Sequence, residues 1–350
     1  RAVTSSPSSA WPQPSPATRS SRNSPRETTS KGTVYAHENE GVVVANYRPF
    51  TKQWVYFDPR MNSYVNQLPR MFPTPEHENL GFYVVGDGSA VPFSVVILDC
   101  LPDLHVTGAG SGGKFFARYT YRERSAGGDL FAAAEEDADG GYERVDNITD
   151  ATLRDYRKTY ADEAITKDDI FYYTYGLLHS PSYRTQFAAD LKKSLPRIPK
   201  VRDFRGFADA GQALADLHIG YESQEPYNGI VEQTSGSTDT PPSELFRVTK
   251  MKILKKGGEA DRSTIIYNGR VTLSNIPEEA YRYQLGARSA IEWIIDRYQV
   301  KVDKASGIVN DPNDWSDGPR YIVDLLRRIV TLSLETMKIV DSLPELDIME

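Results

Sequence analysis

Hydrophobic and aromatic residues in the first third of the chain either alternate with polar residues or form short unbroken runs. Alternation is typical of a β-strand buried on one face, and a short apolar run is typical of a strand buried on both faces. These patterns predict strands in EGVVVANYRPF, KQWVYFDPR, LGFYVVGDG, SVVILDCLPD and KFFARYTYRE. We therefore expect residues 34–122 to be rich in β-structure.

The apolar period becomes that of α-helices after residue 167. Asp168 or Asp169 is suited to cap the first helix, because a carboxylate accepts hydrogen bonds from the free amides of a helix start. Ser180 is the predicted cap of the second helix, with Pro181 at its first position. The helices are predicted in DDIFYYTYGLLHS, SPSYRTQFAADLKKSL, FADAGQALADLHIGYE, ARSAIEWIIDRYQ and PRYIVDLLRRIVTLSLETMKIVDSL.

Predicted β-hairpins interrupt this helical region at 245–274. The apolar alternation slips between Val248 and Met251, which predicts a β-bulge there. Gly257-Gly258 and Asn268-Gly269 are turn dipeptides, and Asn-Gly is typical of a two-residue type I′ hairpin. The predicted class is α+β, with a β-rich N-terminal part and a mixed helical and β-hairpin part that ends in long helices.

Local composition predicts where the domains begin and end. Residues 1–33 are rich in Ser, Pro, Arg and Thr, and such a segment buries too little apolar surface to offset the entropy lost on ordering. We expect a disordered tail there. Residues 123–167 include an acidic stretch rich in Gly and Ala, which predicts a mobile linker or an insertion. The remaining sequence is divided into a β-rich part at 34–122 and a helical part at 168–350.

Overall composition excludes several classes of protein. Hydrophobic residues make up 39% and charged residues 25% of the chain, which is ordinary for a soluble globular protein. No apolar run reaches the roughly 18–20 residues needed to span a bilayer, and the N-terminus lacks the pattern of a signal peptide. Cys100 is the single cysteine, which excludes an internal disulfide and a zinc site built on cysteine pairs. We expect a cytoplasmic protein with no membrane partner.

A glycine-rich stretch, TGAGSGGKFF at 107–116, matches the P-loop spacing up to its last position. A P-loop also needs Ser or Thr after the lysine to hold magnesium, and a helix whose N-terminus faces the phosphates. Phe115 stands where the hydroxyl belongs, and an aromatic strand is predicted to follow. A loop between strands is therefore favoured for 108–114, and a nucleotide-dependent enzyme is the alternative.

Other candidate sites are weaker. The stretch LDCLPDLH gathers side chains of types that bind metals, but leucines separate them and no second His or Cys cluster follows: Asp99, Cys100, Asp103 and His105. A core strand with solvent-facing acids is favoured. His179 and His218 lie in apolar helical faces and are interpreted as packing residues. No G-x-S-x-G or H-E-x-x-H motif occurs, so no catalytic residue is predicted in this chain.

Basic residues are clustered in a chain whose net charge is −7. Basic side chains beside aromatic residues, at strand edges and in turns, can hold the phosphates of a nucleic acid while polar neighbours read its bases. A solvated surface is the plainer interpretation of any one run, but several runs favour a polarised surface. The candidates for DNA contact are Arg48, Lys52, Arg60, Lys114, Arg118, Lys192, Lys193, Arg197, Lys200, Arg202, Arg205, Lys250, Lys252, Lys255 and Lys256.

Several longer strings resemble one known family. The resemblance runs in order from about Tyr47 to about Leu343 and is to the C-terminal target-recognition (specificity) region of type ISP restriction-modification enzymes. It is carried by YRPFTKQWVYFD, YTYGLLHSPSYRTQFAADLKKSLPRIP, GQALADLHIGYE, YQLGARSAIEWIIDRYQVKVDKASGIVNDPN and IVDLLRRIVTLSLETMKIVDSLP. In that family one polypeptide joins a nuclease, an ATP-driven translocase, an adenine methyltransferase and this region.

The resemblance implies that the chain recognises a specific sequence in double-stranded DNA. S-adenosylmethionine, ATP and Mg²⁺ are implied for the methyltransferase and nuclease parts, and no cofactor is expected for this chain. The sequence also departs from the family, since the non-matching 1–33 stands where the methyltransferase should end. Two alternatives stay open: a truncated, inactive remnant, or a stand-alone specificity subunit that acts with a separately encoded methyltransferase and translocase part.

Overall fold

The computed structural model describes residues 41–58, 62, 65–85, 88–108, 112–124, 141–236 and 239–349. The chain divides into two units. The N-terminal unit contains the described residues up to 219 together with 285–287 and 339–349, and the C-terminal unit contains 220–284 and 288–338. The predicted tail at 1–33 lies outside the described residues, as does most of the acidic stretch after residue 124.

The β-structure of the N-terminal unit forms three small sheets. Their strand orders are β2-β1-β5, β4-β3-β6 and β7-β8. All pairs are antiparallel except β1 and β5, which run parallel. The strands are β1 (Val42–Arg48), β2 (Thr51–Tyr56), β3 (Gly81–Val84), β4 (Val95–Leu98), β5 (Leu101–Pro102), β6 (Lys114–Ala117), β7 (Tyr119–Glu123) and β8 (Tyr142–Asp146).

Two predicted strands are each broken into two strands that belong to different sheets: SVVILDCLPD into β4 and β5, and KFFARYTYRE at Arg118 into β6 and β7. At Arg118 the break coincides with contacts to residues that are distant in the sequence. The backbone amide of Arg118 donates to the carbonyl of Leu80, while its side chain is buried against two carboxylates. The alternation of apolar and polar residues in the sequence gives no sign of these partners.

The helices of the N-terminal unit follow the sequence in part, because the single helix predicted in SPSYRTQFAADLKKSL is two short helices that end at Gln186 and Leu191. Ser180 caps α4 with Pro181 at its first position, as predicted. The cap of α3 is Thr166 rather than Asp168 or Asp169, although Asp169 completes a capping box by accepting from the Thr166 amide. The helices are α1 (Leu68–Met71), α2 (Asp150–Tyr160), α3 (Lys167–His179), α4 (Pro181–Gln186), α5 (Ala188–Leu191) and α6 (Phe204–Ile219). Strand β8 and helix α2 lie inside the segment predicted as an acidic connection.

The core of the N-terminal unit is built on close packing of α3 against α6. A Cβ added at Gly176 would lie 2.2 Å from the Phe207 carbonyl oxygen, and one added at Gly211 would lie 1.9 Å from that of Tyr172. Only glycine permits so close an approach of the two backbones. Fully buried aromatic side chains, among them Tyr173 and Tyr175, fill the space around this crossing.

The C-terminal unit contains an antiparallel sheet of order β10-β11-β12-β9 and the long final helix up to residue 338. The elements are β9 (Val231–Thr234), α7 (Pro242–Leu245), β10 (Lys252–Lys256), β11 (Glu259–Ile266), β12 (Val271–Ser274), β13 (Gln284–Leu285), β14 (Arg288–Ser289), α8 (Ala290–Arg297), β15 (Lys301–Val302), β16 (Val309–Asn310) and α9 (Tyr321–Asp341). The predicted α+β class is confirmed. Among the described residues, no helix is both long and apolar enough to cross a membrane.

Two local predictions in this sheet are wrong in detail. The bulge lies in β11, where three residues fall between Asp261 and Ile265 while their partners Leu254 and Ile253 are adjacent. The Asn268-Gly269 turn does join β11 to β12, but Gly269 does not have a positive φ and the turn is not type I′. Instead the Asn268 side chain accepts from the amides of Arg270 and Val271 and shapes a wider loop.

Candidate nucleic-acid interface

The glycine-rich stretch that resembles a P-loop leads into strand β6. Lys114 begins this strand, opposite Val84 of β3, and its side chain is exposed. Gly113 is required by packing, because an added Cβ would lie 1.9 Å from the ring of Tyr83. Residues 109–111 lie outside the described residues, but 114–116 belong to a β-strand, and no helix begins among residues 112–124 to face a phosphate.

The acidic residues near Cys100 are engaged with basic side chains. Asp103 accepts from Arg48 at 3.0 Å, and Asp99 lies 3.6 Å from Lys52. Arg48 and Lys52 are largely covered, with 12% and 16% of their side chains exposed. No group of three or more potential metal ligands occurs in the described part of the chain.

Arg118 is the most deeply buried of the candidate cations, with 6% exposure. Its Nε donates to Asp168 at 2.7 Å, and a second nitrogen donates to Asp146. Lys167 joins the group at 3.0 Å from Asp146. Burial alone would raise the pKa of Asp146, but hydrogen bonds from Arg118 and Lys167 outweigh it and hold the pKa below the ordinary value. This cluster fastens β6 and β7 to β8 and α3.

Further candidate cations are also held by carboxylates. Arg205 bridges Asp162 at 2.6 Å and Asp169 at 3.0 Å. The hydrogen bond from Arg205 lowers the pKa of Asp162. The other pairs are Lys200 with Asp155 at 2.7 Å, Arg202 with Asp347 at 2.8 Å and Lys256 with Asp261 at 2.5 Å. A phosphate would compete with these carboxylates for the same cations.

The remaining described candidates form two exposed groups with no carboxylate within 4.0 Å in the described residues. We call Lys192, Lys193 and Arg197 the first basic group; it lies at and after the end of α5 in the N-terminal unit. We call Lys250, Lys252 and Lys255 the second basic group; it lies before and along β10 in the C-terminal unit. Arg60 lies outside the described residues.

An acidic side chain, Glu259, lies next to the second basic group and is missed when only basic residues are sought in the sequence. Glu259 is exposed and stands directly across the hairpin from Lys256. The Gly257-Gly258 turn could have placed it there, because a two-residue hairpin loop fixes which residues face each other. The tip of this hairpin therefore carries both a hydrogen-bond donor and an acceptor.

Comparisons with known proteins agree on one family. The model of the type ISP C-terminal specificity domain matches residues 12–325. Among solved structures, the ATP-dependent type ISP restriction-modification enzyme LlaBIII bound to DNA is 35% identical over 94% of this chain, with a TM-score of 0.79. A nuclease-deletion mutant of the type ISP enzyme LlaGI with a DNA substrate mimic is 39% identical over 90%, with a TM-score of 0.73.

A complex of DrdV with DNA is 30% identical over 92% of the chain, with a TM-score of 0.78. No curated protein matches the sequence. The chain spans 20%, 26% and 30% of the LlaBIII, LlaGI and DrdV chains, so it corresponds to less than a third of each. On the family match and these identities, the chain belongs to the type ISP C-terminal specificity domain family.

Proposed function

We propose that this chain recognises a specific sequence in double-stranded DNA and thereby determines the target specificity of a type ISP restriction-modification enzyme. Its family is the specificity domain, and the solved relatives LlaBIII, LlaGI and DrdV are described with DNA or a DNA mimic. The methyltransferase and ATP-dependent nuclease functions, with their S-adenosylmethionine, ATP and Mg²⁺, belong to parts outside these 350 residues. The chain would act in the cytoplasm, where such DNA is found.

The observation that carries the proposal is that the candidate cations of an acidic chain fall mainly into two kinds, those paired with carboxylates and those that are exposed in two basic groups. The net charge is −7, and half of the described candidate cations, seven of fourteen, lie against carboxylates. The two basic groups are exposed and have no carboxylate within 4.0 Å among the residues that the structure describes. Neutralisation of phosphates by such side chains releases counterions from DNA and supplies much of the affinity, while neighbouring polar groups read the bases.

A selection from duplexes with a randomised centre tests this function directly. The chain, mixed with the pool at low salt, should enrich one motif after several rounds, and a single-stranded version of the pool should compete poorly. The absence of any enriched motif, with no binding detected even at low salt, would contradict the proposal for this chain.

The partner that supplies catalysis is a separate part of the proposal. Because the chain spans 20% to 30% of its solved relatives, the catalytic parts would come from the same polypeptide or from a separately encoded methyltransferase and translocase. The DNA immediately upstream of the coding region distinguishes these cases. A methyltransferase reading frame in phase with this one indicates a single polypeptide, and a separate frame indicates a subunit.

A further inference from the structure

The hairpin of β10 and β11 extends beyond the sheet to which it belongs. Within the described pairing, β12 contacts β11 only at Ile265 and Ile266. Residues 254–261 pair solely with each other, as Leu254 with Asp261, Lys255 with Ala260 and Lys256 with Glu259. We call residues 254–261 the ribbon. Its residues 255–260 are all exposed.

A bulge at the base of the ribbon sets its direction. Asp261 accepts from the amide of Ser263 at 3.1 Å and from its hydroxyl at 2.6 Å, which closes the bulged segment. The Ser263 carbonyl accepts from the amide of Ile276 at 3.0 Å, and the Arg262 guanidinium lies 5.5 Å from the Tyr281 ring. The contacts of Arg262 and Ser263 fix the base of the ribbon. A bulge bends its strand and changes the direction of the neighbouring residues, so it sets the direction in which the ribbon projects from this base.

The tip of the ribbon is narrow and unobstructed. Gly257 and Gly258 have φ values of 60° and 94°, which strain any residue with a side chain, and no atom lies within 4 Å of a Cβ added at either. The ribbon extends by about 10 Å from Leu254 to the turn, at roughly 3.3 Å per residue. The major groove is about 12 Å wide and 8.5 Å deep and admits a two-stranded ribbon.

The charges of the ribbon favour insertion into a DNA groove over contact with the phosphate backbone alone. Lys256 is held by Asp261, whereas Lys255 and Glu259 have no side-chain partner among the described residues. Lys255 is exposed, and an ammonium group binds a phosphate oxygen through a charge-assisted hydrogen bond. A free carboxylate repels phosphates, but it accepts well from the N4 amino group that cytosine presents in the major groove.

We infer that the ribbon enters the major groove tip first, that Lys255 contacts a phosphate and that Glu259 reads a cytosine. This inference rests on the proposed function, because it names the element and the base contact through which the DNA is recognised. Glu259 is then a specificity-determining residue, and Lys255 contributes affinity without sequence preference.

Selection with variants tests the inference. In Glu259→Gln the amide suits adenine N6 and N7 instead of cytosine, so one position of the motif should change from cytosine to adenine, with about a tenfold change in relative affinity. Lys255→Ala should weaken binding to all duplexes alike and leave the motif unchanged. The matched controls are Glu335→Gln and Lys338→Ala, which alter an exposed pair on α9. These controls should change neither the selected motif nor the affinity for duplexes.

Methylation protection on the selected duplex gives an independent measurement. The chain should protect N7 of the guanine paired with the recognised cytosine, because that atom lies in the major groove, and adenine N3 atoms of the adjoining minor groove should stay reactive. A wild-type motif that survives Glu259→Gln unchanged, or protection confined to adenine N3, would overturn the ribbon's role and leave the proposed function standing. Failure of the wild-type chain to select any motif would instead overturn the proposed function.

Discussion

At the scale of single residues, the Tyr175 hydroxyl organises a buried polar group in the N-terminal unit. It accepts from the amide of Ile97 at 3.1 Å and shares a hydrogen bond of 2.7 Å with Nδ1 of His218. Nδ1 of His179 donates to the Tyr175 carbonyl at 2.9 Å. Both imidazoles are buried, so His179 and His218 are packing residues, as interpreted from the sequence.

These two histidines make stability depend on pH. Burial lowers the pKa of His218 to about 3 and that of His179 well below its ordinary value. Both protonate near pH 6.5 in the unfolded chain but remain neutral in the folded one, so protons favour unfolding. The free energy of unfolding should therefore fall as pH drops below about 6.5, by up to ~1.4 kcal/mol per pH unit for each histidine.

Urea denaturation at a series of pH values between neutral and mildly acidic measures this effect. His218→Asn should reduce the slope of stability against pH, since one of the two neutral imidazoles is removed. A free energy of unfolding that stays constant through this range in the wild-type chain would show that the histidines are not buried as described.

Arg118 provides a second test at the residue scale. Arg118→Met removes the buried guanidinium, but Asp146 keeps Lys167 and Asp168 is 59% exposed, so the stranded carboxylates can be hydrated. We expect a loss of about 2 kcal/mol, from broken charge-assisted hydrogen bonds rather than from a buried lone charge. Thermal or urea denaturation measures it. Arg202→Met, at an exposed pair, should cost less than about 0.5 kcal/mol, and equal costs would refute the argument.

At the scale of elements, the crossing of α3 and α6 depends on glycine. Gly211→Ala would place a methyl group 1.9 Å from the Tyr172 carbonyl oxygen, which forces the helices apart and should cost about 3 kcal/mol or more. Gly269→Ala is the control, because nothing lies within 4 Å of that position and its φ is not positive. Denaturation should give a near-zero change for the control. Similar stabilities for the two variants would contradict the described helix contact.

Elements were predictable from sequence where their signals are local. The helix from Pro181 and the fully buried strands β3 and β4 follow from capping residues and apolar runs within the segments themselves. The break at Arg118 could not be predicted, because its partner Asp168 lies 50 residues away. The turn at Asn268 differs for the same reason, since the Asn268 side chain also donates to carbonyls of Leu245 and Arg247.

The sequence predicts that the candidate site is basic, but it does not predict which basic residues are exposed and without a carboxylate partner. Sequence runs identify where cations are dense, as at 250–256, but not which of them face a carboxylate. Arg205 and Asp162 are separated by 43 positions, and Arg48 and Asp103 by 55, so their pairing is a property of the fold. Among the described residues, the structure separates the cations held by carboxylates from exposed Lys114 and the two basic groups, and contact of any of these residues with DNA remains a proposal.

At the scale of the whole molecule, the proposal concerns charge distribution rather than net charge. A chain of net charge −7 should be repelled by DNA unless exposed, uncompensated cations are concentrated where the DNA lies. The second basic group is such a concentration. Lys250, Lys252 and Lys255 are all exposed, so their replacement should change the free energy of unfolding little.

The most direct test of the central claim is the salt dependence of duplex binding, measured by fluorescence anisotropy from about 50 to 200 mM salt. Replacement of Lys250, Lys252 and Lys255 by Ala should make the slope of log K against log salt shallower by up to about 3, at roughly 0.9 per lost phosphate contact. A matched variant with Arg202, Arg247 and Lys338 replaced by Ala loses equal charge from carboxylate-paired positions and should keep the wild-type slope. Equal slopes for all three proteins, or no binding by the wild-type chain, would contradict the account.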